Sequence, residues 1–119
     1  WRPYAPIMLE EELHNWYSIP KDSSPYMLFN ATLLEDKRGQ IPSVTHVDNS
    51  SRIQTVNKSI NNRVYTLLQK FHERTGVPIL LNTSFNVGGE PIVETPDDAI
   101  NTFVNSNIDY LVMGNYFAY

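Results

Sequence analysis

The 119-residue chain contains no cysteine. That excludes a disulfide framework and any thiolate-held zinc site, and it suits a reducing, cytoplasmic setting. Positive charge is scarce as well: nine Lys and Arg stand against thirteen Asp and Glu, for a formal charge of -4 and a pI near 5.2. A general nucleic-acid or anionic-membrane surface needs the opposite balance, because it works by displacing counterions with Lys and Arg. No apolar run approaches the roughly 18 residues of a membrane span. Trp1-Arg2-Pro3-Tyr4 has neither an initiator Met nor a signal-peptide pattern, so the chain is expected to start inside a longer protein. No internal repeat or low-complexity segment divides it. Asn-x-Ser/Thr sequons at Asn30, Asn49, Asn57 and Asn82 are what an Asn- and Ser-rich sequence produces by chance, and they carry no argument.

What is present is enough apolar material for one domain, 41% of residues with 12% aromatic. Ile60, Val64, Leu67, Leu68 and Phe71 recur at the spacing of one helical face, which predicts a helix over about Ser59 to Arg74 with Gly76 as its stop. Val77 to Leu81 reads as a buried strand, too apolar to be half exposed. Thr95, Pro96 and Asp98 form the N-terminal signature of a second helix, with Ala99, Ile100, Phe103 and Val104 as its inner stripe. Tyr110 to Met113 and Tyr116 to Tyr119 read as a terminal hairpin around Gly114-Asn115. Upstream, Glu10 to Tyr17 is expected as a short helix and Tyr26 to Leu34 as a strand. Val44 to Val56 is expected as an extended region interrupted by Asp48-Asn49-Ser50-Ser51. The charged stretch Glu35 to Gln40 reads as a turn. The coarse order is βα, strands, αβ, loop, αβ(β), which indicates α/β, or α+β with a mixed sheet.

Four polar segments could carry chemistry: Arg2 in "WRPYAP", "HVDNSSRIQTV" from His46 to Val56, the loop Asn82 to Glu90, and the carboxylates Glu94, Asp97 and Asp98. In "LLNTSFNVGGEPIV", residues 80–93, an apolar strand gives way at once to hydroxyls, amides, two glycines and a carboxylate. Such a loop lets a backbone approach and hydrogen-bond an anion; the same residue types also make an ordinary tight turn. Arg52 lies at the start of a β-like run, where a guanidinium can grip phosphate in two-pronged fashion; a plain surface arginine is the alternative. His46 and Asp48, two apart on an expected strand, would point to one side as a hydrogen-bonded pair, and without a third ligand they make no metal site. Ser84 has no argued general base, so it is read as a hydrogen-bond donor to a phosphate-type oxygen. Asp97 and Asp98 are explained by helix capping.

Taken in order, "WRPYAP", "SPYM", "HVDNSSRIQTV", "TGVPILLNTSFN" with "GEPIV", and "TPDDAINTF" resemble the C-terminal region of bacterial O-carbamoyltransferases, the nodulation-protein and antibiotic-tailoring family. The resemblance covers nearly the whole chain. It implies that residues 1–119 are the C-terminal part of a YrdC-like domain, a twisted α/β sheet flanked by helices, whose upstream catalytic domain lies outside the chain. That upstream domain, of the actin/sugar-kinase type with an iron site, would transfer the carbamoyl group to an acceptor hydroxyl. The YrdC-like part would make carbamoyl adenylate from carbamoyl phosphate and ATP, with Mg2+. By this resemblance Arg52 and Ser84 are catalytic, and Arg2, Asn86, Thr83 and His46 bind substrate or nucleotide. The expected partners are these small molecules and the N-terminal domain of the same polypeptide, without nucleic acid or membrane; a homodimer stays open. The family pattern is not complete here. Its lysine would fall upstream of Trp1, Asn49 replaces a common Gly, and Gly88 replaces a common basic residue. The alternative reading is a nucleotide-binding or domain-docking module without its own catalysis.

Overall fold

The uncharged run Ala5–Leu9 becomes β1, for which sequence reading supplied no boundaries, and it is a central strand of the molecule. The computed structural model describes residues 4–119; Arg2 therefore lies outside the described residues. Two compact units divide after Thr83. In the first, β2 (Tyr17–Ser18), β3 (Phe29–Leu33), β4 (Ser50–Val56), β1 and β5 (Ile79–Asn82) make a mixed sheet in the order β2-β3-β4-β1-β5. β1 runs parallel to β4, and all other neighbours are antiparallel. With the three α-helices among the described residues, two in this unit and one in the second, the fold is α/β. The side chains of a strand alternate between faces, so a central strand must be apolar on both. Met8 and Leu9 are accordingly almost wholly buried. Pro6 lacks an N–H, and it precedes the first β1–β4 pair, Ile7 with Gln54, so it interrupts no pair of the parallel ladder.

Met8, Ile53, Ile79, Ala31 and Leu33 close one face of the sheet with Leu13 and Trp16, from the helical turn α1 (Leu13–Trp16), and with Ile41 and Val44. A buried hydroxyl chain crosses this core: Tyr17 Oη donates to Ser51 Oγ at 3.2 Å, and Ser51 Oγ donates to the Val44 carbonyl at 2.7 Å. Burial pushes the Tyr17 hydroxyl up to about 12. It therefore stays protonated and able to donate at any physiological pH.

The other face carries Ile7, Leu9, Val56 and Leu80, which pack against Val64, Tyr65 and Leu68 of α2 (Asn62–Thr75). This helix starts three residues later than its periodicity predicts. Asn57 Oδ1 accepts the N–H groups of Ser59 and Ile60 in a local turn, and Asn61 then caps α2 by accepting from Val64 N at 3.1 Å. Ile60 falls outside the helix and is exposed, as is Leu67; Leu68 is the fully buried anchor. Gly76, with φ +75°, ends α2 as expected. The strand that follows is less buried than its composition predicts, with Leu81 44% exposed, because β5 is an edge strand. β3 is likewise shorter than expected. Met27 adopts φ +54°, and the preceding Ser24 takes over part of the pairing, bonding through backbone and side chain to Thr55 and Ile53.

In the second unit, α3 (Pro96–Val104) begins with the expected capping box: Thr95 Oγ1 accepts from Asp98 N, and the Asp98 carboxylate accepts from Thr95 N at 2.9 Å. The Thr95 hydroxyl and N–H hold the Asp98 carboxyl below its usual range. A depressed carboxylate contributes its capping above the ordinary Asp range and loses it as pH falls through the lowered value. The covered side of α3 is Ala99 with Thr102, whereas Ile100 and Val104 are exposed. Those two, four residues apart, fall together on the adjacent open side, so apolarity alone misjudged the rotation of a short helix. β6 (Leu111–Met113) and β7 (Tyr116–Ala118) form the expected antiparallel hairpin. Its turn has positive φ at Gly114 and not at Asn115, as a type II′ turn requires.

Leu68 ties α2 to the sheet, so Leu68→Ala is expected to cost about 2–5 kcal/mol, the range for truncating a buried leucine. Urea unfolding followed by circular dichroism checks this; a loss below about 1 kcal/mol would mean that α2 is held by something else.

Candidate functional site

α2 covers one part of its sheet face. The register determines what the rest of that face carries. Asn30 pairs with Arg52, Ala5 pairs with Asn82, and Gln54 lies level with Ile7. Stepping back two residues along the parallel β1–β4 register brings Ala5 level with Arg52, so Asn30, Arg52, Ala5 and Asn82 form one row across four strands, with Gln54 beside it. Asn82 Nδ2 donates to Gln54 Oε1 at 2.7 Å, and Gln54 Nε2 donates to the Pro25 carbonyl at 2.9 Å. The methyl group of Ala5 explains how two side chains can meet across the intervening strand: a larger residue there would stand between them. The apolar half of the face is helix-covered, and the other half is a strip of amides around one guanidinium.

Arg52 is half-buried, and none of the ion pairs among the described residues uses it. A cation held on a rigid strand without a carboxylate beside it is suited to an external anion. The amide groups of Gln54 and Asn82 are committed to each other and to Pro25, which fixes the surface next to Arg52. Sequence reading singled out Arg52 and missed Gln54, Asn82 and Asn30. The signal was the alternation of polar Arg52 and Gln54 with buried Ile53 and Thr55; Asn30 entered only as a chance sequon, and Asn82 as a sequon and as the start of the loop that could meet an anion, not as a partner of Gln54.

His46 and Asp48 are not on a strand, contrary to expectation. They lie in the turn before β4, where Asn49 takes the left-handed φ of +63°, so the two side chains do not share a strand face. They meet instead at Ser50. Ser50 N and Oγ donate to Asp48 Oδ1 at 3.0 and 2.7 Å, and His46 Nδ1 lies 3.0 Å from Ser50 Oγ. Those Ser50 hydrogen bonds, side chain first, lower the Asp48 carboxyl. Asn49 can replace glycine because its short amide side chain tolerates the left-handed region. Thr83 is exposed and follows directly on Asn82 at the end of β5.

The remaining candidates, Ser84 and Asn86, belong to the second unit. Ser84 Oγ donates to Asn86 Oδ1 at 2.5 Å, and Asn86 Nδ2 donates to the Glu90 carbonyl at 3.0 Å. Val93 N closes the loop onto the Phe85 carbonyl, with Gly89 at φ +90°. The loop is thus a self-bonded turn in which the Ser84 hydroxyl, committed to Asn86, can be redirected by rotating about its Cβ–Oγ bond. A cleft of about 290 Å3 in this unit is lined by Glu90, Glu94 and Asp98. Three carboxylates make it a poor host for phosphate.

All 119 residues match the carbamoyltransferase C-terminus family. The chain belongs to that family. It is 44% identical to nodulation protein NolNO of Sinorhizobium fredii, over 98% of this chain and 17% of that protein. It is 40% identical to nodulation protein NolO of Bradyrhizobium diazoefficiens, over 98% of this chain and 22% of that protein. An uncharacterized Synechocystis protein is 41% identical, again over 98% of this chain and 22% of that protein. The carbamoyltransferase C-terminal chain thus spans about a fifth of the curated relatives it matches. Among the described residues no helix is long and apolar enough to cross a membrane.

Gln54→Leu removes both the acceptor of Asn82 and the donor to Pro25. It is expected to cost about 1–3 kcal/mol, the price of leaving part-buried polar groups unpaired. Combined with Asn82→Ala in a double-mutant cycle by urea unfolding, it should show coupling of at least about 0.5 kcal/mol. Additive losses would mean the amide pair does not hold the strip.

Proposed function

We propose that this chain works as part of an ATP-dependent O-carbamoyltransferase, in the step that makes carbamoyl adenylate before transfer to an acceptor hydroxyl. The observation that carries the reading is Arg52, a cation without an anionic partner among the described residues, set on the uncovered half of a sheet face. Adenylate formation joins a carbamoyl oxygen to the α-phosphorus of ATP as pyrophosphate leaves, with phosphate released from carbamoyl phosphate by water. Negative charge gathers on the phosphoryl oxygens in that transition state. Arg52 would hold two of them at once; within its own unit, Ser84 would turn its hydroxyl from Asn86 to a phosphate-type oxygen. Asn86, anchored to the Glu90 carbonyl, would keep the loop in place while Ser84 turns. Thr83 and Arg2 would add donors, and His46 would bind through its imidazole. Mg2+ arriving with the nucleotide would neutralise phosphate charge; the strip offers donors and no carboxylate, so it fits the phosphate oxygens and not the metal ion. An iron site and the acceptor hydroxyl would belong to the upstream domain, and the cytoplasm is the fitting compartment.

A second reading keeps binding and drops catalysis: a module that holds nucleotide or docks a partner domain. Gly88, where a basic residue would strengthen the loop, favours it, as does the internal Ser84–Asn86 bond.

Carbamoyl-phosphate-dependent exchange of pyrophosphate into ATP by the full gene product separates the two. Exchange that falls about tenfold or more in Arg52→Ala and in Ser84→Ala, roughly 1.4 kcal/mol each, is expected. Saturable ATP binding without exchange would favour the binding module, and undiminished exchange in both variants would place the chemistry on other residues.

A further inference from the structure

β5 ends the sheet. Leu9 N donates to the Pro78 carbonyl at 3.2 Å, which settles the phase of the β1–β5 ladder. Hydrogen-bonded positions alternate, so Leu80 and Asn82 face β1, whereas Ile79 and Leu81 turn their N–H and C=O groups away from it. No hydrogen bond to those outward groups occurs among the described residues. The strand reads Ile-Leu-Leu-Asn; apart from its shortness, it has no charge, internal proline or bulge to guard an open edge. Beside it runs a cleft of about 150 Å3, lined by Ile41, Pro42, Val44, Ile79 and Leu81. Ile79 and Leu81 share one face, so an added strand would place every second side chain in that cleft.

We propose that β5 is extended by a further strand, apolar at alternate positions, supplied by polypeptide of the kind that the long relatives carry outside the matched region. Those relatives are matched over only 17 to 22% of their length. A second copy of the chain is a poorer occupant. β5 has four residues and two outward-facing positions, so two edges meeting across a dyad bury far less than the roughly 1,200 Å2 of a stable interface. A linked strand arrives at an effective concentration of order millimolar and needs no such area. This inference is independent of the proposed chemistry.

Hydrogen exchange resolved to the Ile79 and Leu81 amides, in the 119-residue chain and in the full gene product, tests it. Protection at least about tenfold greater in the full product, and independent of concentration, is expected. Leu81→Pro, which removes a donor that the chain itself leaves unused, should abolish that difference; Leu81→Ala, which keeps the N–H, should not. Equal, fast exchange in both proteins overturns the proposal. So does protection in the short chain that rises with its concentration, which would assign the edge to a second copy.

Discussion

Everything in the first unit depends on β1 being buried on both faces. Its alternation sends Met8 into one core and Ile7 and Leu9 into the other, and the second of these exists only because Leu68 presses α2 onto the sheet. At about 10–12 Å across with its side chains, the single 14-residue helix cannot cover a whole face of five strands spaced about 4.8 Å apart. The uncovered part must satisfy water or a ligand, so it is polar. Packing, not catalysis, thus determines where a surface for ligands can be.

That surface gains its character from what surrounds its one charge. Gln54 and Asn82 use their amides on each other and on the Pro25 carbonyl, while Arg52 has no ion-pair partner among the described residues. Fixed dipoles around an unneutralised cation favour an anion without reorganising when it binds. The acidic total of the chain is compatible with this, because the carboxylates cluster elsewhere: Glu10 to Glu12 at the end of β1, and Glu90, Glu94 and Asp98 around the cleft of the second unit.

Much of this was legible in the residues. The caps at Thr95 and Gly76 and the Gly114-Asn115 hairpin depend on local chemistry and appear where the sequence places them. Arg52 was found because a charged residue at the head of a β-like run stands out. What depends on neighbours was harder to read. Leu81 reads as core until β5 proves to be an edge, and the start of α2 moves because Asn57 and Asn61 compete for its first N–H groups. The amide strip needed the register of four strands, since Asn30 and Asn82 are far apart in sequence and ordinary as residues. The ordered motifs had already pointed to the carbamoyltransferase C-terminus family, to which the chain belongs.

The central claim is that the uncovered strip around Arg52 binds a phosphate-bearing ligand. Its most direct test is a nuclear magnetic resonance titration of the full gene product with ATP–Mg2+ and then with carbamoyl phosphate. The signals to follow are the Arg52 Nε–H and the side-chain amides of Gln54 and Asn82. The account predicts that the three signals shift together along one saturation curve while the exposed side of α2, including Lys70, stays still. Saturable shifts confined to other surfaces, with these three signals unmoved, would contradict it.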